Sequence, residues 1–260
     1  TDALTLVLDA TSVAAADLNT LNGKTSVAVN ANTIETMTGS ASAVKTALEH
    51  AGITDDGGIV ITLDSGTATA TDLTDIAEET SATVVATAIT AISGTAAEVA
   101  AVVSGDITTG NYTSTLSGTS SAANANTVMG DTSGNITATV TAGTAASLVA
   151  ALGSASATDI LSLTVSDAAT DAADLVTLNA KTSEAIDISA ITSTITGSTA
   201  ELVDIYDTNA TQYTGEGNET LVADTTASAA DANIIMGKTS GTLTATVTAT
   251  GAVATLNTAL

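Results

Sequence analysis

One ten-residue stretch recurs five times along the 260-residue chain, and this repetition restricts the possible folds more than any other feature of the sequence. Each copy ends in Thr-Ser, and its threonine is called the marker threonine below: Thr25, Thr80, Thr132, Thr182 and Thr239. The markers recur unevenly, at a period of roughly 50 residues, and such self-similarity is typical of repeat proteins whose units stack on their neighbours. The sequence therefore predicts one domain of five repeats, bounded at 1–54, 55–110, 111–157, 158–215 and 216–260.

Each repeat contains two predicted helices. The stretch that carries the marker, such as 17–26, places polar residues ahead of apolar residues at helical spacing, and a second recurrent stretch does the same. The copies of this second stretch are 38–48, 93–103, 142–152, 196–206 and 250–260. A β-rich run precedes each helix, for example 5–9 or 27–37. The unit is therefore strand, helix, strand, helix, which makes two half-repeats of about 25 residues.

This order of elements predicts an α/β fold. Strands that are joined through helices run parallel, with right-handed crossovers. Stacked in sequence, the half-repeats form a right-handed solenoid with a parallel sheet. A doubly wound α/β fold is the alternative, but the fivefold internal similarity favours the solenoid.

The core has to be built from small side chains. The chain has no Phe, Trp, Cys, Pro or Arg, and its only aromatic residues are Tyr112, Tyr206 and Tyr213. Ala, Val, Leu, Ile and the methyl groups of Thr must fill the interior, so the packed layers must lie close together. In the run 241–251 the alternation is strict and predicts a strand with one buried face.

The charge balance excludes several classes of partner. Four Lys oppose 28 Asp and Glu, which gives a net charge of −24. Such a chain repels nucleic acid and anionic membrane surfaces, and it needs salt or divalent cations to screen its self-repulsion. No apolar run approaches the roughly 18 residues that a membrane span requires, so we expect no membrane insertion. The chain begins without Met, which is typical of a mature product or of a piece of a longer protein.

The sequence predicts no enzymatic activity, no catalytic residue and no cofactor-binding residue. Gly23-Lys24-Thr25 resembles the end of a phosphate-binding loop, but the first glycine of that motif is missing. We interpret Gly23, Gly130 and Gly237 instead as left-handed residues that end helices. His50 is the one histidine, and no G-x-S-x-G motif surrounds any serine.

Calcium is the ligand that the acidic loops predict. Asp55 and Asp56 lie beside two glycines, and Asp106, Glu216 and Glu219 lie in similar loops between repeats. Hard cations prefer several oxygen ligands on bendable backbone, so we predict these five residues as calcium ligands. Ordinary acidic turns are the alternative, because the spacing of an EF-hand is absent.

The repeats at 12–26 and 38–44 resemble the Thr-, Ala- and Asp-rich repeats of large bacterial surface proteins, the S-layer and giant adhesin class of marine bacteria and cyanobacteria. This resemblance implies an extracellular or cell-surface location and a calcium-dependent role in assembly or adhesion. We therefore predict a non-enzymatic structural protein that assembles with itself into a lattice, filament or stalk, with cell-surface glycans as a further class of partner. The alternative is a module that binds ice or carbohydrate through its Thr arrays, 67–71 and 242–248.

Overall fold

The computed structural model describes residues 2–248, in which short strands alternate with short helices. Strands with a defined register pair in parallel, as β-strands at 36–39 and 60–63 do. The chain is therefore an α/β protein with parallel sheets. It divides into two compact units. Unit one runs up to Ser120 and includes Thr127–Thr137, and unit two contains Ser121–Asn126 and the chain from Ala138 onward.

Unit one consists of strands of two to eight residues and helices of eight to ten. Its elements are β1 (Ser12–Ala14), α1 (Ala15–Asn22), β2 (Val29–Asn30), β3 (Thr36–Gly39), α2 (Ala41–Leu48), β4 (Ile53–Thr54), β5 (Val60–Leu63), β6 (Gly66–Thr69), α3 (Ala70–Glu79), β7 (Val84–Ala86), β8 (Ile89–Thr95), α4 (Ala96–Ser104), β9 (Ile107–Thr109) and β10 (Thr113–Ser120). The boundaries between the units fall in the next two elements, α5 (Ala122–Asp131) and β11 (Ile136–Val140).

Unit two continues the alternation and adds one irregular helical segment. Its elements are α6 (Ala145–Ala151), β12 (Ile160–Ser162), β13 (Thr170–Asp171), α7 (Ala172–Asn179), β14 (Ile186–Asp187), β15 (Thr194–Gly197), α8 (Thr199–Val203), a π-helical turn (Asp204–Thr208), a 3₁₀ turn (Ala210–Gln212), β16 (Tyr213–Thr214), β17 (Thr220–Ser228), α9 (Ala229–Met236) and β18 (Leu243–Thr248).

Neighbouring strands come from successive half-repeats. In unit one the order β1-β3-β5-β7-β9 forms a sheet, β6, β8 and β10 lie side by side, and β2 pairs with β4. In unit two the orders are β13-β15-β17-β18 and β14-β16, and β12 lies beside β11. Met37 pairs with Ile61, and Ile186 pairs with Tyr213, each partner lying one half-repeat further along the chain. We call one such step, a strand segment with its helix, a rung.

Helices begin where a small polar side chain caps them. The hydroxyls of Ser40, Thr69 and Thr144 each accept a hydrogen bond from the backbone N–H three residues later. At α4 the capping box is complete, because the Glu98 carboxylate accepts from the Thr95 N–H and hydroxyl, and these bonds lower the pKa of Glu98. The predicted helices in both recurrent stretches are confirmed, except that the copy at 250–260 lies outside the described residues.

Small residues let each helix start close to the next rung. Ala15 and Ala172, the first residues of α1 and α7, have no exposed surface. A Cβ atom on Gly39 would lie 3.2 Å from the Ala15 Cβ, and one on Gly197 would lie 2.5 Å from the Ala172 Cβ. At these two positions the alanine that begins the previous helix leaves little room for a side chain, which favours glycine.

Two predictions about local structure are wrong. The run 27–37 is not one strand but two, β2 and β3, because the Asn30 side chain accepts from the Asn32 N–H at 3.1 Å and turns the chain. The run 5–9 contains only an isolated bridge, between Val7 and Asn30.

The glycines at the ends of the marker helices also differ from the prediction. Gly23 and Gly237 have φ of −66° and −74°, which is right-handed, and Gly130 lies inside α5. A left-handed residue is not needed after α1, because the N–H groups of Gly23 and Lys24 already bond to the carbonyls of Asn19 and Leu21.

Candidate functional site

The marker threonines bond to the backbone of the preceding rung. The Thr182 hydroxyl donates to the Leu161 carbonyl oxygen at 2.8 Å and accepts from the Leu161 N–H at 3.0 Å. It also accepts from the Glu184 N–H at 3.0 Å. Thr182 is 2% exposed and Leu161 is fully buried, so this one hydroxyl satisfies both backbone groups of a core residue.

The other four markers make related bonds. Thr25 bonds to both backbone groups of Leu4, and Thr132 to both of Tyr112. Thr80 donates to the Ile59 carbonyl at 2.7 Å, and Thr239 donates to the Gly217 carbonyl at 3.2 Å. The partner lies 20 to 22 residues upstream in each case.

The serine after each marker completes the connection. The N–H groups of Ser26, Ser81, Ser183 and Ser240 donate to the backbone carbonyls of Asp2, Gly57, Asp159 and Gly217, respectively. The N–H of Ser133 donates to the Asn111 side-chain oxygen instead. We call each pair the Thr-Ser clamp. Sequence reasoning identified the recurring Thr-Ser but missed its partners, because the clamp binds main-chain atoms.

The lysines also connect successive rungs. Lys45 of α2 lies 3.0 Å from an Asp72 oxygen and 2.5 Å from an Asp75 oxygen, both on α3. Hydrogen bonds to these two carboxylates raise the pKa of Lys45, those to Asp75 most. In unit two Lys181 donates to the Leu152 carbonyl at 2.8 Å, and Lys238 lies 3.2 Å from an Asp207 oxygen. Ion pairs that solvent reaches, as it does the partly exposed Lys45 and Lys238, stabilise the fold weakly.

Three of the predicted calcium ligands lie in unit one. Asp55 and Asp56 lie between β4 and β5, where their carboxylates accept from the N–H groups of Gly57 and Gly58 at 2.8 and 3.2 Å. Asp106 is exposed between α4 and β9. Among residues 2–248 the structure contains no group of three or more His, Cys, Asp or Glu residues that could hold a metal. The calcium assignment stays a prediction.

The other two predicted ligands lie in unit two and differ from each other. Glu216 is exposed, whereas Glu219 is 2% exposed. The Glu219 carboxylate accepts from the Tyr206 hydroxyl and from the N–H groups of Gly217 and Asn218, at 2.9 to 3.0 Å for the N–H bonds. Both oxygens of this buried carboxylate therefore have protein donors.

The described surface has two polar grooves in unit one and an apolar groove in unit two. A groove of about 340 Å³ contains His50, whose Nδ1 lies 3.2 Å from the Asn22 amide and 3.0 Å from the Gly52 N–H. A second, of about 490 Å³, is lined by Glu35 and Asp56 among others. The apolar groove, about 290 Å³, is lined by Ala232, Met236, Leu243, Ala245 and Val247.

The comparisons with known proteins add no relative. No family model, no curated protein and no solved structure matches this chain. Within residues 2–248 no helix is both long and apolar enough to cross a membrane. The clamps, the ion pairs between helices and the grooves are therefore the observations on which a function has to rest.

Proposed function

We propose that the protein is a non-enzymatic structural protein of a cell surface, which forms an S-layer, a filament or an adhesin stalk by stacking of its repeats and by self-assembly. Its architecture in this proposal is a right-handed solenoid of strand-helix half-repeats. The single observation that carries the proposal is the Thr-Ser clamp, which recurs in all five repeats and bonds each time to the rung before it.

The pairing of the strands supports the solenoid. A strand pairs with its counterpart one half-repeat further along, as Met37 does with Ile61 and Val84 does with Ile107. Contacts of this kind join each rung mainly to its neighbours, so stability accumulates rung by rung. A long, regular scaffold needs this property, because it has to extend without depending on one central core.

The deletion of one complete rung tests the architecture. Removal of residues 37–60 joins Thr36 to Ile61 and keeps the register of the sheet, because Met37 and Ile61 are partners. We expect a folded protein with a lower free energy of unfolding. Removal of residues 37–48 alone takes out three residues of β3 and all of α2, which is half a rung and loses the register, and we expect no cooperative fold. A folded out-of-register variant or an unfolded in-register variant would contradict the solenoid.

Surface labelling tests the cellular role. Antibodies raised against this chain should label intact, unpermeabilised cells of the source organism, and negative-stain electron microscopy of the cell envelope should show fibres or an ordered layer that carries the label. Labelling that requires lysis would contradict the proposed location, whatever the result of the deletion experiment.

A second candidate function, binding of ice or carbohydrate, is favoured by exposed hydroxyl rows in unit one. Thr69, Ser93 and Thr115 lie opposite one another on β6, β8 and β10. Thr67 and Thr113 both pair with the same β8 residue and begin a parallel row two residues earlier. All five side chains are exposed, and the strands that carry them are spaced at about 4.8 Å. Thr69, Ser93 and Thr115 thus present regularly spaced hydroxyl groups, whereas Ala91 interrupts the row of Thr67 and Thr113.

Thermal hysteresis of the purified protein tests the ice-binding alternative. If the rows bind ice, Ser93→Lys should abolish hysteresis, because the new side chain lies in the middle of a row. Thr46→Lys, at an exposed position on α2, is the matched control and should leave hysteresis unchanged. Absence of hysteresis in the unmodified protein at high concentration would remove this candidate.

A further inference from the structure

The first described rung exposes side chains that are buried elsewhere in the fold. Residues 1–8, TDALTLVL, match residues 158–165, TDILSLTV, and each segment lies at the same distance ahead of its clamp. Leu4 bonds to Thr25 as Leu161 bonds to Thr182. Yet Leu161 is fully buried, whereas Leu4 is 49% exposed. The apolar face of the first rung therefore lacks a cover that its counterpart has.

Only alternate residues of this rung use their backbone groups in hydrogen bonds to the next rung. Leu6 and Leu8 bond to Asn30 of the next rung, at 3.0 and 3.1 Å. The odd-numbered residues between 3 and 7 make no backbone hydrogen bond to any described residue. Their N–H and C=O groups form a free edge of the kind that pairs with another strand.

Unit two shows what covers the corresponding edge. There β12 lies beside β11, and further along the same rung Val165 bridges to Gly143. The Gly143 N–H donates to the Thr164 carbonyl at 3.3 Å, and the Ser166 N–H donates to the Gly143 carbonyl at 2.9 Å. Ala138 and Val140 of β11 are 4% and 3% exposed at this junction.

The last described strand has the sequence of β11. Residues 243–248 read LTATVT and residues 136–141 read ITATVT. Among the described residues β18 pairs with β17 on one edge only. Leu243, Ala245 and Val247 are half-exposed and line the apolar groove, although their counterparts in β11 are buried. Each of the two incomplete edges thus resembles one partner of the junction between β11 and β12.

We propose that β18 of one copy of this chain docks against residues 3–7 of a second copy, and so recreates between copies the junction of β11 with β12. This inference rests on the proposed stacking of repeats. It specifies the partner, a second copy of the chain, and the two surfaces that meet. A junction between two different edges leaves one of each free, so it propagates from copy to copy and gives an open filament unless the rotation between copies closes a ring. β18 carries no ionisable side chain, and Asp2 and Asp9 flank the receiving edge, so salt strengthens the junction by screening the net charge.

Sedimentation velocity of the 260-residue chain tests the junction. We expect species that contain one, two, three or more chains. Their average mass should rise with protein concentration between about 1 and 100 µM, and it should rise more steeply in about 0.5 M NaCl than in about 0.05 M NaCl. Leu4→Glu and Leu243→Glu each place a charge in one edge, and each should weaken association at least about tenfold. Val60→Glu is the matched control, because Val60 is 41% exposed on β5, which is paired on both sides, and the charge change is the same.

The mixture of the two edge variants gives the sharpest result. Leu4→Glu keeps an intact β18, and Leu243→Glu keeps an intact first rung, so a 1:1 mixture should form dimers and stop there. Dimer formation also demonstrates that both variants are folded. A monomeric wild-type protein at high salt would overturn the junction, as would association that both variants leave unchanged. Neither result would affect the rung-deletion experiment, which tests the repeat architecture alone.

Discussion

Replacement of Thr182 by Val tests how much one clamp stabilises the fold. The side chains have the same shape, but Val cannot bond to Leu161 or Glu184. Leu161 is fully buried, so its N–H and C=O lose their partner in a place that water does not reach. Each unsatisfied buried group costs about 1–3 kcal/mol. The additional buried methyl group offsets about 1 kcal/mol. The two groups together cost about 2–6 kcal/mol, so the expected loss is about 1–5 kcal/mol in the free energy of unfolding.

Urea unfolding and hydrogen exchange measure this loss. Tyr206 and Tyr213 are buried in the same unit as Thr182, so tyrosine fluorescence follows the relevant transition, with far-UV circular dichroism as a second probe. Exchange of the Leu161 amide should accelerate by roughly 5-fold to 4000-fold, at about 1.4 kcal/mol for each factor of ten. Thr182→Ser keeps the hydroxyl and should cost only about 1 kcal/mol for the lost methyl group.

The control is Thr226→Val, which makes the same change at an exposed position of β17 without a side-chain hydrogen bond to be lost. Its effect should stay within about 0.5 kcal/mol. If Thr182→Val destabilised the protein no more than Thr226→Val, the clamp would be a consequence of the fold and not a cause of its stability.

Four further outcomes are expected. Burial, and then the neighbouring aspartates, raise the pKa of Asp174, so the ionised carboxylate destabilises the folded state. Asp174→Asn should therefore raise the urea midpoint at about pH 7. This gain in stability should vanish near pH 3, where the carboxyl group is protonated in both states. Lys45→Met leaves two aspartates of α3 without their cation, so the melting temperature should fall at low salt and the difference should shrink in about 1 M NaCl. Gly134→Ala forces a Cβ against a backbone carbonyl of the preceding rung and should cost about 1–3 kcal/mol, whereas Gly153→Ala, with open space around it, should be neutral in the same denaturation assay. If the acidic loops bind calcium, a chelator should lower the melting temperature, and an unchanged value would contradict the calcium prediction.

The positions of the helices could be predicted from the sequence because their signals are local. A capping hydroxyl and apolar residues at helical spacing lie within one short segment, as at Ser40 and α2. The break between β2 and β3 was missed because it depends on one side chain, Asn30, that bonds to its own backbone two residues on. Asp187 does the same with the Ser189 N–H at 3.0 Å, and its bonds to Ser189 lower the pKa of Asp187. An Asx turn inside a β-rich run is therefore the signal to look for.

The surroundings of Glu219 could not be derived from its acidic loop alone. The sequence EGNE suggests solvated oxygen ligands, but Glu219 bonds to Tyr206, which lies in a π-helical turn that no other repeat contains among the described residues. The signal in the sequence that this repeat differs from the others was its length. The interval between Thr182 and Thr239 is the longest between successive markers, and it contains both the additional turns and two of the three tyrosines.

The Thr-Ser clamp has a consequence for how such a chain can evolve. The residues that the five threonines hold are Leu4, Ile59, Tyr112, Leu161 and Gly217, which differ in side-chain size and shape. Since the hydroxyl recognises only main-chain atoms, any substitution at the held position that the core tolerates leaves the clamp intact. Duplicated or recombined rungs from diverged copies of the gene therefore remain compatible, and the array can lengthen or shorten by whole units without compensating substitutions in the neighbouring rungs.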